Sequence, residues 1–530
     1  MTRLPSRRRD SGVVAILTAL LMTTFIGFCA IAVDVGHWYL VKLQTQKAAD
    51  AAALAGVVYL PDNVAGAMTV ATQYAQDNGF GVSATTSVTT TRVPGDPGRL
   101  SVTVSTTVTN FFTGLFGLPT STISSRGDAA YAGPVSMGSP CNRIGNDPDA
   151  TPATGSSACS GLGTGRFWAG VSGERTDKQN GDPYQSTLCT GATSDNCPAG
   201  TNTDYTAEGY LYNITVKTAG ATQIEIFDPD FVATGNQCDS TNLDGATAAR
   251  NPFVKDATDA NNRYGKGNSA NSGWCTGDTN NLIGGATKEV MQTSYSVLGT
   301  QGGANIADHT PIDKCTRTWT GFDGALSAAL DQKSPGYNVG VAESFRRWVP
   351  LCTVRGAGTY ILKVNGAGGN AQNHFSIRAV GGDVETTTVS GRQRLGIFTS
   401  DDSPGTTFYL ARVPSTSAGQ TLVVRFFDVG DAKNAGKMTI KPPSGSVGCR
   451  QYDVRDAPIG SLDPCAITTS TSLNGRWITL RVPIPATYDC NDSNNAACWY
   501  TVSFDYKGAV PTDTSAWTAA MDGQAVRLVK

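Results

Sequence analysis

The chain is 530 residues long, which exceeds the usual size of one domain, so two to four compact units are expected. Its net charge is -2 and its basic residues are spread along the chain, which excludes the broad positive surface of a nucleic-acid-binding protein. Charged residues make up only 16% of the sequence, whereas 60 residues are glycine. This composition is typical of an exported, β-rich protein, and no nucleic-acid partner is predicted.

The first predicted element is an apolar helix that follows a basic leader. Arg3 and Arg7–Arg9 precede an uncharged apolar run at residues 12–33. At about 1.5 Å per residue this run spans roughly 33 Å, which matches the hydrocarbon core of a bilayer, about 30 Å thick. We therefore predict a single-pass transmembrane helix over residues 12–33, with the lipid bilayer as a partner.

The arginines also indicate the orientation of this helix. An excess of Lys and Arg on a short flank marks the cytoplasmic side, so the N-terminus is predicted inside and everything after Val33 outside. A competing interpretation is a cleaved signal peptide, because Ala30–Ala32 resembles a small-residue cleavage site. A permanent anchor is favoured because the apolar run exceeds the usual signal-peptide length of about 7 to 15 residues.

The helix is predicted to continue beyond the membrane, to about residue 60. Strong helix formers fill this stretch, above all at Ala48–Gly56. Trp38 and Tyr39 fall where an interfacial aromatic belt would lie. The Ala-rich section is explained by helix propensity, and it also suggests a smooth surface for self-association through neighbouring helices.

The order of these features resembles a known family. A basic leader, an apolar span opening with Gly-Val-Val-Ala, Ala-Val-Asp-Val-Gly at 32–36 and Gln-Lys-Ala-Ala-Asp-Ala-Ala-Ala-Leu-Ala-Gly at 46–56 follow one another. This combination resembles the N-terminal module of TadE/TadG-like proteins of bacterial Flp/Tad pilus-assembly systems. The resemblance is close over residues 7–60 and looser over residues 60–133.

The resemblance implies a structural or accessory component of a pilus-assembly or secretion system, anchored in the bacterial cytoplasmic membrane. Other proteins of that system are the implied partners, and no enzymatic activity and no cofactor are implied. Two departures limit the resemblance. Leu17 stands where a prepilin-peptidase site would have Glu, and the Asp-x-Ser-x-Ser metal motif of long members is absent.

We therefore predict that residues 1–60 form the leader and the helix, and that residues 61–135 form a small, pilin-like α/β region. A second helix is expected at about 63–78, followed by a hairpin of alternating Thr and Val joined by a turn-forming stretch. The apolar segment Phe111–Gly117 is predicted to pack the hairpin onto the helix. A membrane or partner contact is the alternative.

The remaining sequence consists of short strand-like runs between Gly-, Ser- and Asn-rich loops. Tyr210–Asp228 and Tyr409–Asp428 resemble each other, and each is followed by a Cys and an Arg-Trp pair. We predict two related β-sandwich-like domains at 136–385 and 386–530, the first with an insertion at about 239–340. The predicted fold class is α+β, an N-terminal helical region followed by mainly-β domains rich in disulfides.

Thirteen cysteines are present, and Cys29 lies inside the apolar run. The remaining even set lacks Cys-x-x-Cys spacing and has few His partners, which favours disulfides in an oxidising compartment over zinc. Pairing in chain order is one possibility that the sequence leaves open. The disulfide candidates are Cys141, Cys159, Cys189, Cys197, Cys238, Cys275, Cys315, Cys352, Cys449, Cys465, Cys490 and Cys498.

Two acidic pairs follow apolar strand ends. Asp228 with Asp230, and Asp428 with Asp431, offer oxygen ligands to Ca²⁺, although Asp is also favoured in ordinary turns. No nucleophile elbow, phosphate-binding loop or zinc motif is present, so no catalytic or cofactor-binding residue is predicted.

Two other function classes remain open. A surface-displayed module that binds glycan or matrix would expose aromatic side chains on one sandwich face. An extracellular hydrolase would gather acidic side chains in a deep cleft. The Trp residues are expected to fill the sandwich cores.

Overall fold

The computed structural model divides the chain into two compact units. We call Met1–Gly133, Gln301–Asp308 and Gln524–Lys530 the N-terminal unit, and Pro134–Thr300 with His309–Gly523 the β body. The structure describes residues 11–60, 63–93, 98–131, 133–151, 153–160, 167–190, 194–236, 238, 243, 245–265, 273–280, 289–300, 302, 306–400, 406–429, 436–505, 512–523 and 526–529. The predicted α+β class, with a long apolar helix first and mostly β-sheet after it, is confirmed.

Within these ranges the elements are as follows. The helices are α1 (Ser11–Val57), α2 (Val64–Asp77), α3 (Gly245–Ala248), α4 (Ala257–Tyr264), α5 (Leu326–Leu330) and α6 (Val339–Ser344). The strands are β1 (Thr86–Arg92), β2 (Arg99–Thr109), β3 (Thr120–Tyr131), β4 (Ser136–Met137), β5 (Arg143–Ile144), β6 (Phe167–Ser172), β7 (Tyr210–Val216), β8 (Thr222–Phe227), β9 (Gln292–Leu298), β10 (Pro311–Thr320), β11 (Trp348–Val354), β12 (Gly358–Ala367), β13 (Gln372–Val380), β14 (Thr388–Arg392), β15 (Arg394–Ser400), β16 (Thr406–Arg412), β17 (Thr421–Phe427), β18 (Lys437–Lys441), β19 (Cys449–Tyr452), β20 (Pro458–Leu462), β21 (Ala466–Thr468), β22 (Trp477–Pro483), β23 (Trp499–Asp505), β24 (Thr512–Met521) and β25 (Val526–Leu528).

The N-terminal unit is a four-stranded antiparallel sheet, in the order β1-β2-β3-β25, covered by α1 and α2. The predicted second helix and hairpin are present, with Thr86 opposite Thr106 in the hairpin. The last strand, β25, was expected in the second sandwich domain, which was predicted to span residues 386–530. It instead pairs with β3 of the N-terminal unit. The chain therefore returns to its first unit after the β body.

Small residues bring α1 against the sheet at backbone distance. Ala48, Ala49, Ala52 and Ala53 of α1 are fully buried. A Cβ on Gly127 of β3 would lie 2.6 Å from the Ala49 carbonyl, well inside van der Waals contact. The Ala-rich face is thus used inside the unit, where its buried neighbours on α2 are also alanines, Ala67, Ala71 and Ala75.

The β body contains two eight-stranded sandwiches with the same strand order. In the first, β6-β13-β8-β11 faces β7-β12-β9-β10, and in the second, β15-β24-β17-β22 faces β16-β23-β18-β21. Each is a jelly roll, in which the first strand pairs with the last and two Greek keys close the sandwich. Such identical connectivity in tandem indicates an internal duplication.

The two jelly rolls share one continuous sheet. β6 pairs antiparallel with β15, with Trp168 opposite Phe398, so the sheet order runs β11-β8-β13-β6-β15-β24-β17-β22. Corresponding strands lie at equal distances from this central pair. An edge strand that would otherwise be unpaired is covered in each sandwich by its counterpart.

Equivalent tryptophans close the same strand pair in the two sandwiches, and their polar partners come from different positions. Trp348 opposite Phe227 and Trp477 opposite Phe427 close the equivalent strand pairs. Each indole N–H donates a hydrogen bond to an aspartate that precedes β7, Trp348 to Asp147 at 2.8 Å and Trp477 to Asp204 at 2.7 Å. An arginine guanidinium lies over each indole ring, at 4.1 Å and 4.7 Å from its centroid.

The predicted insertion is placed differently by the structure. Residues 239–340 include β9 and β10, which are integral strands of the first jelly roll. The extra chain instead lies between β8 and β9, where the second repeat has a short connection from β17 to β18. Helices α3 and α4 fall in this connection. The alternating sequence pattern is lost there, and for this reason the C-terminal end of the insertion was predicted too late in the chain.

The candidate cysteines form six disulfides in the structure, each between neighbours in the chain. The pairs are Cys141–Cys159, Cys189–Cys197, Cys238–Cys275, Cys315–Cys352, Cys449–Cys465 and Cys490–Cys498, and Cys29 is free. Closing a loop of about 15 residues contributes about 3 kcal/mol in the chain-entropy account of such bonds. The two longest of these loops, each closed over 37 residues, contain the helix pairs α3–α4 and α5–α6.

We predict that Gly127→Ala destabilises the N-terminal unit by about 1–3 kcal/mol, because the added Cβ forces β3 away from α1. The measurement is native-state hydrogen exchange of the β3 amides in detergent micelles. Gly460→Ala is the matched control, since that strand glycine has open space around its Cβ position and should change by no more than about 0.5 kcal/mol. Equal effects at both positions would contradict the packing account.

Candidate functional site

The first half of α1 presents an uncovered apolar surface. Leu21, Phe25 and Phe28 are 68–70% exposed, and α1 is the one helix in the described part of the chain that is long and apolar enough to cross a membrane. Exposed apolar area of this extent marks an interaction with lipid or protein. The same helix is buried against its own unit farther along, so its two halves meet different surroundings.

A single carboxylate lies at the point where these halves meet. Asp34 carries the only charge between Asp10 and Lys42, and its side chain is fully buried. Its Oδ1 accepts a hydrogen bond from the Phe111 amide at 2.8 Å. Its Oδ2 accepts from two more amides, those of Phe112 at 3.0 Å and Thr113 at 2.6 Å. Three backbone donors therefore solvate the charge, which would otherwise be costly to bury.

Aromatic contacts reinforce this attachment one turn farther along α1. Trp38 Nε1 donates a hydrogen bond to Asn110 Oδ1 at 2.8 Å, and the His37 and Phe111 rings meet edge to face at 5.1 Å. Asn110 Nδ2 in turn donates to the Leu118 carbonyl at 2.8 Å, which closes the loop. We call Phe111–Leu118, the connection from β2 to β3, the apolar loop.

The side chains of the apolar loop face outward. Leu115 is 84% exposed, Phe116 71% and Phe111 62%. The expectation that this segment packs the hairpin onto the helix was therefore wrong for Leu115 and Phe116. The loop is attached through its backbone amides, Asn110 and the edge of the Phe111 ring, so Leu115 and Phe116 are left without cover inside the unit.

Sequence reasoning missed the two residues that hold the loop, Asp34 and Asn110. A signal existed for the first, because a lone acid directly after an apolar run needs donors nearby. Nothing local pointed to the second, since its partner lies 72 positions earlier in the chain.

We predict that Asp34→Ala releases the loop. Hydrogen exchange of the amides of residues 111–113 should accelerate by at least about tenfold, because a hydrogen bond to a charged group contributes about 1.5–3 kcal/mol. Asp50→Ala is the control on the same helix, where the carboxylate accepts a hydrogen bond from Gln46 one turn away. Unchanged protection of residues 111–113 in Asp34→Ala would refute the role of this carboxylate.

Two of the calcium candidates of the β body, Asp228 and Asp428, accept hydrogen bonds from backbone amides. Asp228 and Asp428 occupy equivalent turns with positive φ, at 53° and 60°. Asp228 accepts from the Arg346 amide at 2.9 Å, and Asp428 accepts from the Gly475 amide at 2.7 Å. Asp230 is also buried, and Asp431 lies outside the described residues.

The surroundings of Asp228 and Asp230 raise the pKa of both carboxyl groups. Burial raises the pKa of the Asp228 carboxyl to about 6, and burial together with the neighbouring Asp228 raises that of Asp230 well above its usual range. In the described part of the chain, one group of three potential ligands gathers at metal-binding distance, Cys490, Asp492 and Cys498. Its two sulfurs are joined in a disulfide and are not free to ligate. Calcium at the acidic pairs stays a prediction from sequence.

We predict a stability profile that separates proton from calcium. Because the folded pKa of Asp228 exceeds the unfolded value, this group stabilises the fold fully below about pH 4, and the contribution is lost as pH rises through about 6. In urea unfolding, wild type should lose about 1 kcal/mol or more relative to Asp228→Asn between pH 4 and pH 7. Asparagine suits the control because it tolerates positive φ.

The companion measurement adds a chelator at pH 7. We expect an unchanged melting temperature. A fall in melting temperature, together with stability that rises with pH relative to Asp228→Asn, would instead demonstrate a bound cation.

The aromatic side chains of the β body fill its core as expected. Trp168, Trp477 and Trp517 are almost completely buried, and among the described residues of the body Tyr205 is the one exposed aromatic, at 37%. His374 is buried and stacked on Phe398 at 4.1 Å between ring centroids, and burial lowers its pKa to about 3. A base of such low pKa is ill suited to proton abstraction near neutral pH.

Together these features define a class of protein: one N-terminal apolar helix able to cross a membrane, a small α/β unit packed on its second half, and a disulfide-linked body of tandem jelly rolls. Residues 12–75 match the family described as "Putative Flp pilus-assembly TadE/G-like". The match covers α1 and most of α2, and it confirms the resemblance found in the sequence over this region. No curated protein and no solved structure matches the chain.

Proposed function

We propose that this protein is a membrane-anchored accessory component of a Flp/Tad pilus-assembly or secretion system. The observation that carries the proposal is the family match at residues 12–75, which coincides with the anchor helix and the helix packed on it. The short basic N-terminus lies in the cytoplasm and the rest of the chain outside the cytoplasmic membrane. Other proteins of the assembly system are its partners.

The cysteines support this orientation. All twelve cysteines beyond α1 are paired, whereas the free Cys29 lies in the apolar half of that helix. Disulfides persist in oxidising compartments, and arginines before an apolar helix are retained in the cytoplasm. Two independent physical effects thus favour the same side for the β body.

The role of the β body is structural or adhesive rather than catalytic. Asp228 and Asp428 accept hydrogen bonds from backbone amides, and Trp168, Trp477 and Trp517 lie in the core. Both observations favour a rigid assembly module over a hydrolase, and over a glycan-binding face built from exposed aromatic rings.

Self-association through the N-terminal helix uses its apolar half in this proposal. The Ala-rich stretch is already packed against α2 and β3. Residues 12–33 remain available to pack against neighbouring helices inside the lipid.

The test is crosslinking of intact cells followed by purification of the protein from membranes. We expect it in the membrane fraction, crosslinked to other pilus-assembly proteins, with the β body cleaved by protease added outside the cytoplasmic membrane. Leu21→Arg should lower membrane retention, since Arg at a helix centre costs about 2.5–3.5 kcal/mol, whereas Leu21→Ala should not. Recovery only from culture supernatant, or recovery without any partner, would overturn the proposal.

A further inference from the structure

The position of the apolar loop along α1 is set by its hydrogen bonds. The loop is attached to Asp34 and Trp38, directly after the apolar run 12–33. Trp38 lies five residues past Val33, about 7.5 Å along the helix axis at about 1.5 Å per residue. The interfacial layer on each side of a bilayer is about 5–7.5 Å thick, so the attachment points fall within it.

The amino-acid composition around the apolar loop is also suited to the interfacial layer of a bilayer. The segment from Leu100 to Ser125, which includes the whole loop, contains no Asp, Glu, Lys or Arg. Leu115, Phe116 and Leu118 are 59–84% exposed. Aromatic side chains are favoured at the membrane–water interface. Tyr39 on α1 lies at the same level as the loop and is 64% exposed.

The one charge at this level, the Asp34 carboxylate, is hydrogen-bonded by the loop. Asp34 has three backbone donors from Phe111, Phe112 and Thr113, and none of its bonds requires water. The next charged side chain on α1, Lys42, donates to the Ser124 carbonyl on the far side of the loop. Nothing charged among the described residues of α1 and the loop therefore has to enter the lipid.

We propose that the apolar loop inserts into the outer interfacial layer of the same bilayer that α1 spans. The loop and the helix then form two contacts with the membrane, which fix the rotation of the N-terminal unit about the helix axis. This inference rests on the proposal that α1 is a membrane anchor. It adds a second lipid-binding element that the match at residues 12–75 does not include.

The experiment uses the full chain, in a Cys29→Ala background, reconstituted into phosphatidylcholine vesicles. Leu115→Cys is labelled with an environment-sensitive fluorophore under non-reducing conditions, so that the disulfides do not react. We expect a blue-shifted emission that is quenched more strongly by a spin label near the headgroup than by one deep in the acyl chain. Thr91→Cys is the control, because this exposed residue lies at the opposite end of the same sheet, and it should report water.

A third label, at Leu21→Cys, separates this inference from the proposed function. Deep quenching at 21 with an aqueous signal at 115 would overturn loop insertion while leaving the anchor intact. Aqueous signals at both positions would overturn the anchor itself. A protected label at 115 that lipid spin labels do not quench would show a protein covering the loop, which also overturns the inference.

The same quenching measurement also tests whether Asp34 holds the loop at its depth. In Asp34→Ala the label at 115 should lose its preference for the shallow quencher, because the loop is no longer held at one depth. Asp50→Ala should keep that preference. An unaltered profile in Asp34→Ala would remove the part of the inference that assigns loop depth to this carboxylate.

Discussion

The contact between the second half of α1 and strand β3 is the constraint on which the N-terminal unit depends. Glycine at 127 and alanine at 49 allow helix and strand to meet at backbone distance, where any Cβ on the strand would clash. Because the helix continues without a break into its apolar half, this packing joins the folded unit to the segment that is apolar enough to cross a membrane. The Asp34 carboxylate completes the junction by holding the β2–β3 connection at the same level.

Burial of polar groups follows one physical rule in both units. Asp34 binds loop amides in the N-terminal unit, and Asp228 and Asp428 bind turn amides in the β body. In each case a carboxylate removed from water is satisfied by backbone donors, which is the requirement that buried polar groups impose. Asp228 and Asp428 thus have backbone donors, and calcium at the two acidic pairs stays a prediction from sequence.

The β body shows how a duplicated sandwich gains stability from its own copy. The β6–β15 pairing joins two jelly rolls into one sheet and removes an open edge from each. The pairs Trp348–Phe227 and Trp477–Phe427 occupy equivalent places in the two repeats, so the duplication preserved this aromatic pairing as well as strand order. Disulfides between neighbouring cysteines then secure the long loops that a sandwich core does not reach.

The sequence by itself determined the features that depend on local composition. The uncharged run 12–33, the Asn63–Asn78 helix, the Thr/Val hairpin and the two similar stretches beginning at Tyr210 and Tyr409 were all readable, because each reflects hydrophobic periodicity or local propensity. Only the tertiary structure decided contacts between distant positions. The return of β25 to β3, the end of the insertion before β9, and the attachment of residues 111–113 to Asp34 depend on strand pairing and hydrogen bonds across many residues, which no local pattern encodes.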